Sequence, residues 1–306
     1  MNTATACLEC FGRMAQREAR LALPDDEAGR RRIAEAWEDR LAGLDLNVPP
    51  PVIARHLADT VAEVVVELGG CPADYYLDDK RRDNQAALRL LPGLQARLDA
   101  EAAKPGGHPL ALALELAIIG NCMDRGVDLN LDWESELDAL DRCVDPAILA
   151  RFSAETLTGA RVMVLGDNAG EIVLDTLLVR QLLARGCDVT YAVRSRPILN
   201  DATLDDAAEV GMTRLCRVTE SGVDTPGTVL DRCSPGFLRL LRDADVVLSK
   251  GQGNFEALQG SMDGVYCAFK VKCERVAAET GLRLGASALI RLEGADRRGV
   301  AGRWRS

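Results

Sequence analysis

The stretch that decides the fold is Arg161-Val-Met-Val-Leu-Gly166-Asp-Asn-Ala-Gly170-Glu171, continuing to Val193. Its first five residues form a short apolar run closed by glycine, which suits a strand buried on both faces. Residues 171–185 carry a helical pattern that ends at Gly186, and Asp188 to Val193 is again apolar and β-branched. Strand, turn, helix and strand in that order is a βαβ unit, the building block of a parallel sheet. Further along, 244–249, 266–272 and 286–292 read as three more strands. Working back from Arg161, residues 1 to about 155 have helical periodicity instead. Segments at 8–23, 26–44, 52–68, 73–102 (interrupted near Pro92-Gly93) and 110–119 are expected as helices, with an acidic one near 134–143. The expected architecture is therefore α/β. An all-helical N-terminal region, 1–155, precedes a Rossmann-like domain, 156–306, whose mainly parallel sheet is flanked by helices.

Composition narrows the function classes. At about 150 residues per domain, 306 residues allow one large or two ordinary domains. The net charge is −10 and aromatics are 4% of the chain. Both disfavour generic polyanion binding and stacking on single-stranded nucleic acid. They leave room for one phosphate in a local cationic pocket. No apolar run approaches the roughly 18 residues of a membrane span, and Met1 to Cys10 lacks the pattern of a secretory leader. A cytoplasmic protein is expected, with the ten cysteines reduced and mostly acting as small buried hydrophobes.

Ligands on such sheets gather beyond the carboxyl ends of the strands. Three ends carry polar residues. After the first strand, Asp167 and Asn168 offer hard oxygen donors between Gly166 and Gly170, and Glu171 opens a helix. Ordinary turn and capping chemistry would use the same residue types. After the second strand come Arg194 and, beyond Pro197, Asn200-Asp201; Asp205 and Asp206 read as the acidic start of another helix. A carboxylate from Asp201 facing Asp167 would call for a cation between them. After the strand at 244–249, Lys250 sits among Gly251, Gly253, Asn254 and Glu256, a glycine-rich loop able to approach a phosphate but without Walker spacing. Two carboxylates, an amide and a lysine are the parts of metal-assisted phosphoryl chemistry.

These segments carry a family resemblance. GDNAGEIVLD at 166–175, the RxxPxxNDxT pattern at 194–203 and SKGQGNFE at 249–256 resemble the signature segments of the DUF89, or ARMT1-like, damage-control phosphatases. Asp74-Tyr75 with Lys80 and Asn84, the GNxxDxG of 120–126, and the FKxKC of 269–273 resemble further segments in the same order. The opening from Cys7 to Ala22 resembles the CxxC-bearing start of the prokaryotic subfamily. The resemblance implies a divalent-metal-dependent phosphatase of small phosphometabolites such as sugar phosphates, with magnesium, manganese, cobalt or nickel as the ion. It implies Asp167, Asn168 and Asp201 as metal ligands, Asp167 serving as ligand or nucleophile. Lys250 would meet the phosphate, Glu171 and Asn254 would complete the catalytic set, and Asn121, Asp124 and Arg194 would bind substrate.

Cys7 and Cys10, three apart on a helix, share one face and form a candidate second metal or redox site, for which Cys71 is a conceivable third ligand. Buried structural thiols are the plainer reading. Two other functions compete with the phosphatase. One is an S-adenosylmethionine-dependent carboxyl methyltransferase on the same fold, opposed by Asp167-Asn168 standing where a nucleotide turn needs glycine. The other is a non-catalytic metal- or metabolite-binding protein.

Overall fold

Six strands form one sheet in the order β3-β2-β1-β4-β5-β6. They are β1 (Arg161–Leu165), β2 (Asp188–Val193), β3 (Arg217–Glu220), β4 (Val246–Lys250), β5 (Tyr266–Lys270) and β6 (Ser287–Arg291). The structure is a computed structural model and describes residues 1–120 and 144–293. Every strand pair is parallel except β5 with β6. Leu165 is in register with Ala192 on one side and with Ser249 on the other, so the ends of β1, β2 and β4 open side by side. The chain winds from β1 towards β3 on one side and from β4 towards β6 on the other. The gap between β1 and β4 is therefore a topological switch point, where a crevice forms beyond the strand ends.

The helices are α1 (Thr5–Ala22), α2 (Glu27–Ala42), α3 (Pro50–Glu67), α4 (Leu77–Ala102), α5 (Pro109–Gly120), α6 (Pro146–Glu155), α7 (Glu171–Ala184), α8 (Leu204–Glu209), α9 (Pro235–Asp243), α10 (Gln252–Leu258) and α11 (Glu274–Thr280). β1 shows why both faces of the sheet must be covered. Val162 and Val164 pack into a core with Leu94 of α4, Leu114 of α5 and Leu178 of α7. Met163 and Leu165 point the other way, into a core with Phe237 of α9, Phe255 of α10 and Val276 of α11. This alternation puts apolar side chains on each face, as a buried parallel strand requires. A third core joins α1, α2 and α3 around Phe11, Trp37 and Ile53.

The core does not break near residue 155. Leu94, Leu114 and Phe152 lie in the same cluster as Val162 and Val164, so α4 to α6 belong to the sheet's own layer. Only α1 to α3 keep a separate core. The helix expected to be interrupted near Pro92 is continuous through it. The proline removes one backbone hydrogen bond, while Ala87, Leu94 and Leu98 on either side stay anchored in the core. Among the described residues no helix is long and apolar enough to cross a membrane. The acidic helix expected near 134–143, and the candidate substrate residues Asn121 and Asp124, lie outside the described residues.

Candidate active site at the switch point

The site is built by two loops laid across each other. Beyond β1, Gly166 passes so close to Tyr191 that a Cβ there would stand 2.6 Å from its ring and hydroxyl. The segment after β2 then crosses the β1 end. The Ala202 N–H donates to the Asp167 carbonyl at 2.8 Å and the Ala169 N–H to the Asn200 carbonyl at 2.9 Å, making an antiparallel bridge between Asn168 and Asp201. This local pairing sets Asp201 beside Asp167 and Asn168 although more than thirty residues separate them in sequence. From the third strand end, Gly251 has φ +80°, and a Cβ on it would fall 1.8 Å from Asp167 Oδ2. Glycine is required there both for the backbone and for the carboxylate to fit.

Asp167, Asn168, Asn200 and Asp201 line one cavity of about 490 Å³. Asn168 Nδ2 donates to Asp167 Oδ2 at 2.9 Å, and Arg194 Nε donates to Asp201 Oδ2 at 2.5 Å with its far nitrogen 3.6 Å from Asp167 Oδ1. Burial pushes the Asp167 carboxyl well above the usual range. The charges of Asp201 and Glu171 push it further up, against Arg194 and Lys272. Two buried carboxylates face Arg194, with Lys272 nearby, and together with Asn168 they bring hard oxygen donors to one cavity. Such a set is suited to a hard divalent cation taking oxygen from Asp167, Asn168 and Asp201. Among the described residues no group of three His, Cys, Asp or Glu is arranged to hold a metal; this set is two carboxylates and an amide.

The other expected residues stand around this centre and not in it. Lys250 is fully buried. Its ammonium donates to the Ala117 carbonyl at 2.9 Å, to Asp175 Oδ1 at 2.9 Å and to Glu171 Oε1. Burial alone would lower its pKa, but Asp175 and Glu171 raise it above the ordinary lysine value. Direct phosphate contact by Lys250 does not fit this geometry, because all its donors are directed into the protein beneath the cavity. Glu171 is equally buried and accepts from the Asn168 N–H at 3.4 Å. Asn254 has no exposed surface. It bonds the Gly166 and Lys250 carbonyls at 3.1 and 2.8 Å and accepts from the Thr228 N–H at 2.7 Å, which ties three loops together. Arg194 is likewise buried, donating to Thr228 Oγ1 and Asn254 Oδ1 at 3.3 Å each. Glu171, Asn254 and Arg194 thus position the loops. Asp206 caps α8, receiving the Thr203 N–H at 2.9 Å and hydroxyl at 2.8 Å, and pairs with Lys80 at 2.9 Å.

Residues that the strand-end argument passed over complete the cavity. Lys272, two residues past β5 and nearly buried, and Arg275, in the first turn of α11, are on its wall. Asn200 Nδ2 is a buried donor with no partner. Lys272 stands in the FKxKC segment; its position just beyond a strand end was the available signal. Asn84, buried in α4, accepts from the Gly170 N–H at 2.7 Å and so fixes the loop that carries Asp167. Cys7 and Cys10 also line this cavity, whereas Cys71 is exposed and does not.

Residues 3–288 match the model of a family described as the damage-control phosphatase ARMT1-like domain. The chain belongs to this family. A damage-control phosphatase of Archaeoglobus fulgidus is 30% identical over 290 residues, covering 93% of this chain and 97% of that protein. The damage-control phosphatase PH1575 of Pyrococcus horikoshii is 28% identical over 290 residues, with 93% and 96% covered. A crystal structure of a DUF89 family protein from the same organism superposes with a TM-score of 0.78 at 27% identity. It covers 96% of this chain and all of the other. The DUF89, ARMT1-like resemblance and the α/β fold read from the sequence both hold.

Proposed function

We propose that this protein is a divalent-metal-dependent phosphatase of small phosphometabolites, such as sugar phosphates. The observation that carries this reading is the convergence of Asp167, Asn168 and Asp201 on one cavity whose wall also includes Lys272 and Asn200. The family membership and the relatives named as damage-control phosphatases support it. Asp167, Asn168 and Asp201 would hold magnesium, manganese, cobalt or nickel. When bound, such an ion polarises phosphoryl oxygens and lowers the pKa of a bound water. Around it, Lys272 takes the place first expected for Lys250: its ammonium faces the phosphate and offsets charge developing on the equatorial oxygens. Arg194 bridges Asp201 and Asp167 and opposes the rise in the Asp167 pKa, holding both carboxyls at the cavity.

The test is phosphate release from a generic aryl phosphate and a sugar-phosphate panel, with each of the four metals and without any. Metal-stimulated release is expected. Asp167→Asn should lower it roughly 10²- to 10³-fold while the circular dichroism spectrum stays unchanged. A chain that binds these metals but releases no phosphate across the panel would sink the enzymatic reading in favour of a binding protein. Hydrolysis indifferent to both metal and Asp167→Asn would show that the site lies elsewhere.

A further inference from the structure

Three of the eight free cysteines among the described residues, Cys7, Cys10 and Cys273, line the cavity that holds Asp167. Cys187 and Cys267 are buried in the cores instead. Cys7 and Cys10 are both half-buried, and Cys10 has Cys7, Cys273 and Glu256 around it. Gln252 Nε2 donates to Cys273 Sγ at 3.6 Å and to Glu256 Oε1 at 2.9 Å, which ties Cys273 to α10. Cys7 is then the thiol left to partner Cys10.

We propose that Cys7 and Cys10 are a dithiol–disulfide pair in the cavity wall, oxidised by a peroxide and restored by a low-molecular-weight thiol. Residues three apart on a helix have Cβ atoms about 5–6 Å apart, and a disulfide needs about 3.5–4.5 Å. The missing distance comes from the first turn of α1. Ala4 at its N-cap provides no side-chain hydrogen bond and the turn contains no acidic residue. An uncapped terminal turn is the part of a helix that opens at least cost. Among the described residues no three ligating side chains are arranged around a metal, so thiol chemistry suits the pair better than a thiolate metal site.

The chemistry balances with the peroxide as oxidant. Cys7 Sγ attacks one peroxide oxygen, the O–O bond breaks, and a sulfenic acid and one water result. Cys10 Sγ then attacks that sulfur, the S–O bond breaks, the S–S bond forms and a second water leaves. The two thiols give up two electrons and two protons, and the peroxide is reduced to two waters. Burial pushes the Cys10 thiol up, which suits it to be the second, resolving sulfur. Phe11 and Met14, on the following turns of α1, line the same cavity, so rearranging the first turn to bring Cys7 to Cys10 reshapes that wall. No proposed metal ligand lies on α1.

The experiment oxidises the full-length protein with hydrogen peroxide, alkylates the remaining thiols and maps the peptides by mass spectrometry. A Cys7–Cys10 bond should form in the wild type and in Cys273→Ser, be absent in Cys7→Ser and Cys10→Ser, and reverse with dithiothreitol. Exposed Cys71 reports whether oxidant reached the protein. Cys7 and Cys10 still alkylatable when Cys71 is oxidised, a bond from Cys10 to Cys273, or zinc copurifying with the pair would each overturn the proposal. A second arm rests on the phosphatase reading: oxidation should raise KM several-fold, reversibly and not in Cys10→Ser, with manganese binding unchanged. If no phosphate is released at all, the peptide map still decides the thiol proposal by itself.

Discussion

Two clusters at the carboxyl ends of the strands have the same formal composition and opposite designs. The outer one joins Asp167 and Asp201 through Arg194. The inner one joins Glu171 and Asp175 through Lys250. In each, two carboxylates are clamped by one cation, and Lys272 also lies near the outer pair. The inner cluster is sealed, with all three side chains fully buried, and it adds the Tyr191 hydroxyl, 2.6 Å from Asp175, and the Ala117 carbonyl. The outer one is also buried, but its Asp167 and Asp201 stand on the wall of the cavity. The difference is one of access: the outer carboxylates stand at a cavity and the inner ones do not. The inner cluster consumes its lysine to hold α5, α7 and β4 together.

The most damaging way to probe this contrast is Lys250→Met. It leaves Glu171 and Asp175 buried without their cation, which should cost about 3–5 kcal/mol, read as a lower midpoint in urea unfolding. A loss under about 1 kcal/mol would mean that the inner cluster is not structural. Lys272→Met is the contrasting change, at the lysine on the wall of the outer cluster's cavity. Stability should fall by less than about 1 kcal/mol, while kcat/KM of the metal-dependent hydrolysis drops roughly 10²-fold. If the two variants lose the same stability and the same activity, the division of labour between the lysines is wrong.

Gly251→Ala sharpens the contrast from the backbone side. The residue has φ +80°, and its Cβ would displace the Asp167 carboxylate. A stability cost of about 1–3 kcal/mol should accompany a loss of manganese affinity by calorimetry, with the inner cluster intact. Unchanged affinity would show that Asp167 is not a ligand.

How much of this was legible in the sequence follows from what each residue does locally. Strands β1, β2, β4, β5 and β6 were legible within two residues because each is an apolar run whose neighbours are turns. β3 was not, since Arg217-Val-Thr-Glu220 is an edge strand charged at both ends and only half-buried. The short helices α6 and α9 also escaped, although Asp145 and Ser234 cap them ahead of a proline. Asp167 and Asn168 could be picked out because they closely follow β1, whereas Asp201, eight residues past Val193, was named through the family resemblance of its RxxPxxNDxT segment. The roles of the lysines could not be picked out. Whether a lysine at a strand end faces a cavity or the interior depends on α5 and α7 packing above it, through contacts more than seventy residues away in sequence. The three-residue spacing of Cys7 and Cys10 was visible, but their place on the wall of the Asp167 cavity depends on how α1 docks against the sheet domain.

Tyr191→Phe is the smallest change and separates the clusters by pH. Burial, with a like charge from Glu171, lifts the Asp175 carboxyl to about 6, while Lys250 and the Tyr191 hydroxyl pull it down. A carboxyl raised above its unfolded value of 3.8 favours folding when protonated. Its contribution is complete below the unfolded value and is lost as pH rises towards about 6. Without the phenol the folded value moves higher, so in Tyr191→Phe the loss should continue past that point. The variant should then be nearly as stable as the wild type at low pH and about 1–2 kcal/mol less stable at neutral pH, measured by urea unfolding across the range. Manganese affinity should not change, because Tyr191 bonds only to the inner cluster's Asp175 among these acids. A deficit independent of pH would mean that the hydroxyl supports packing at Gly166 and does not stabilise a charged Asp175.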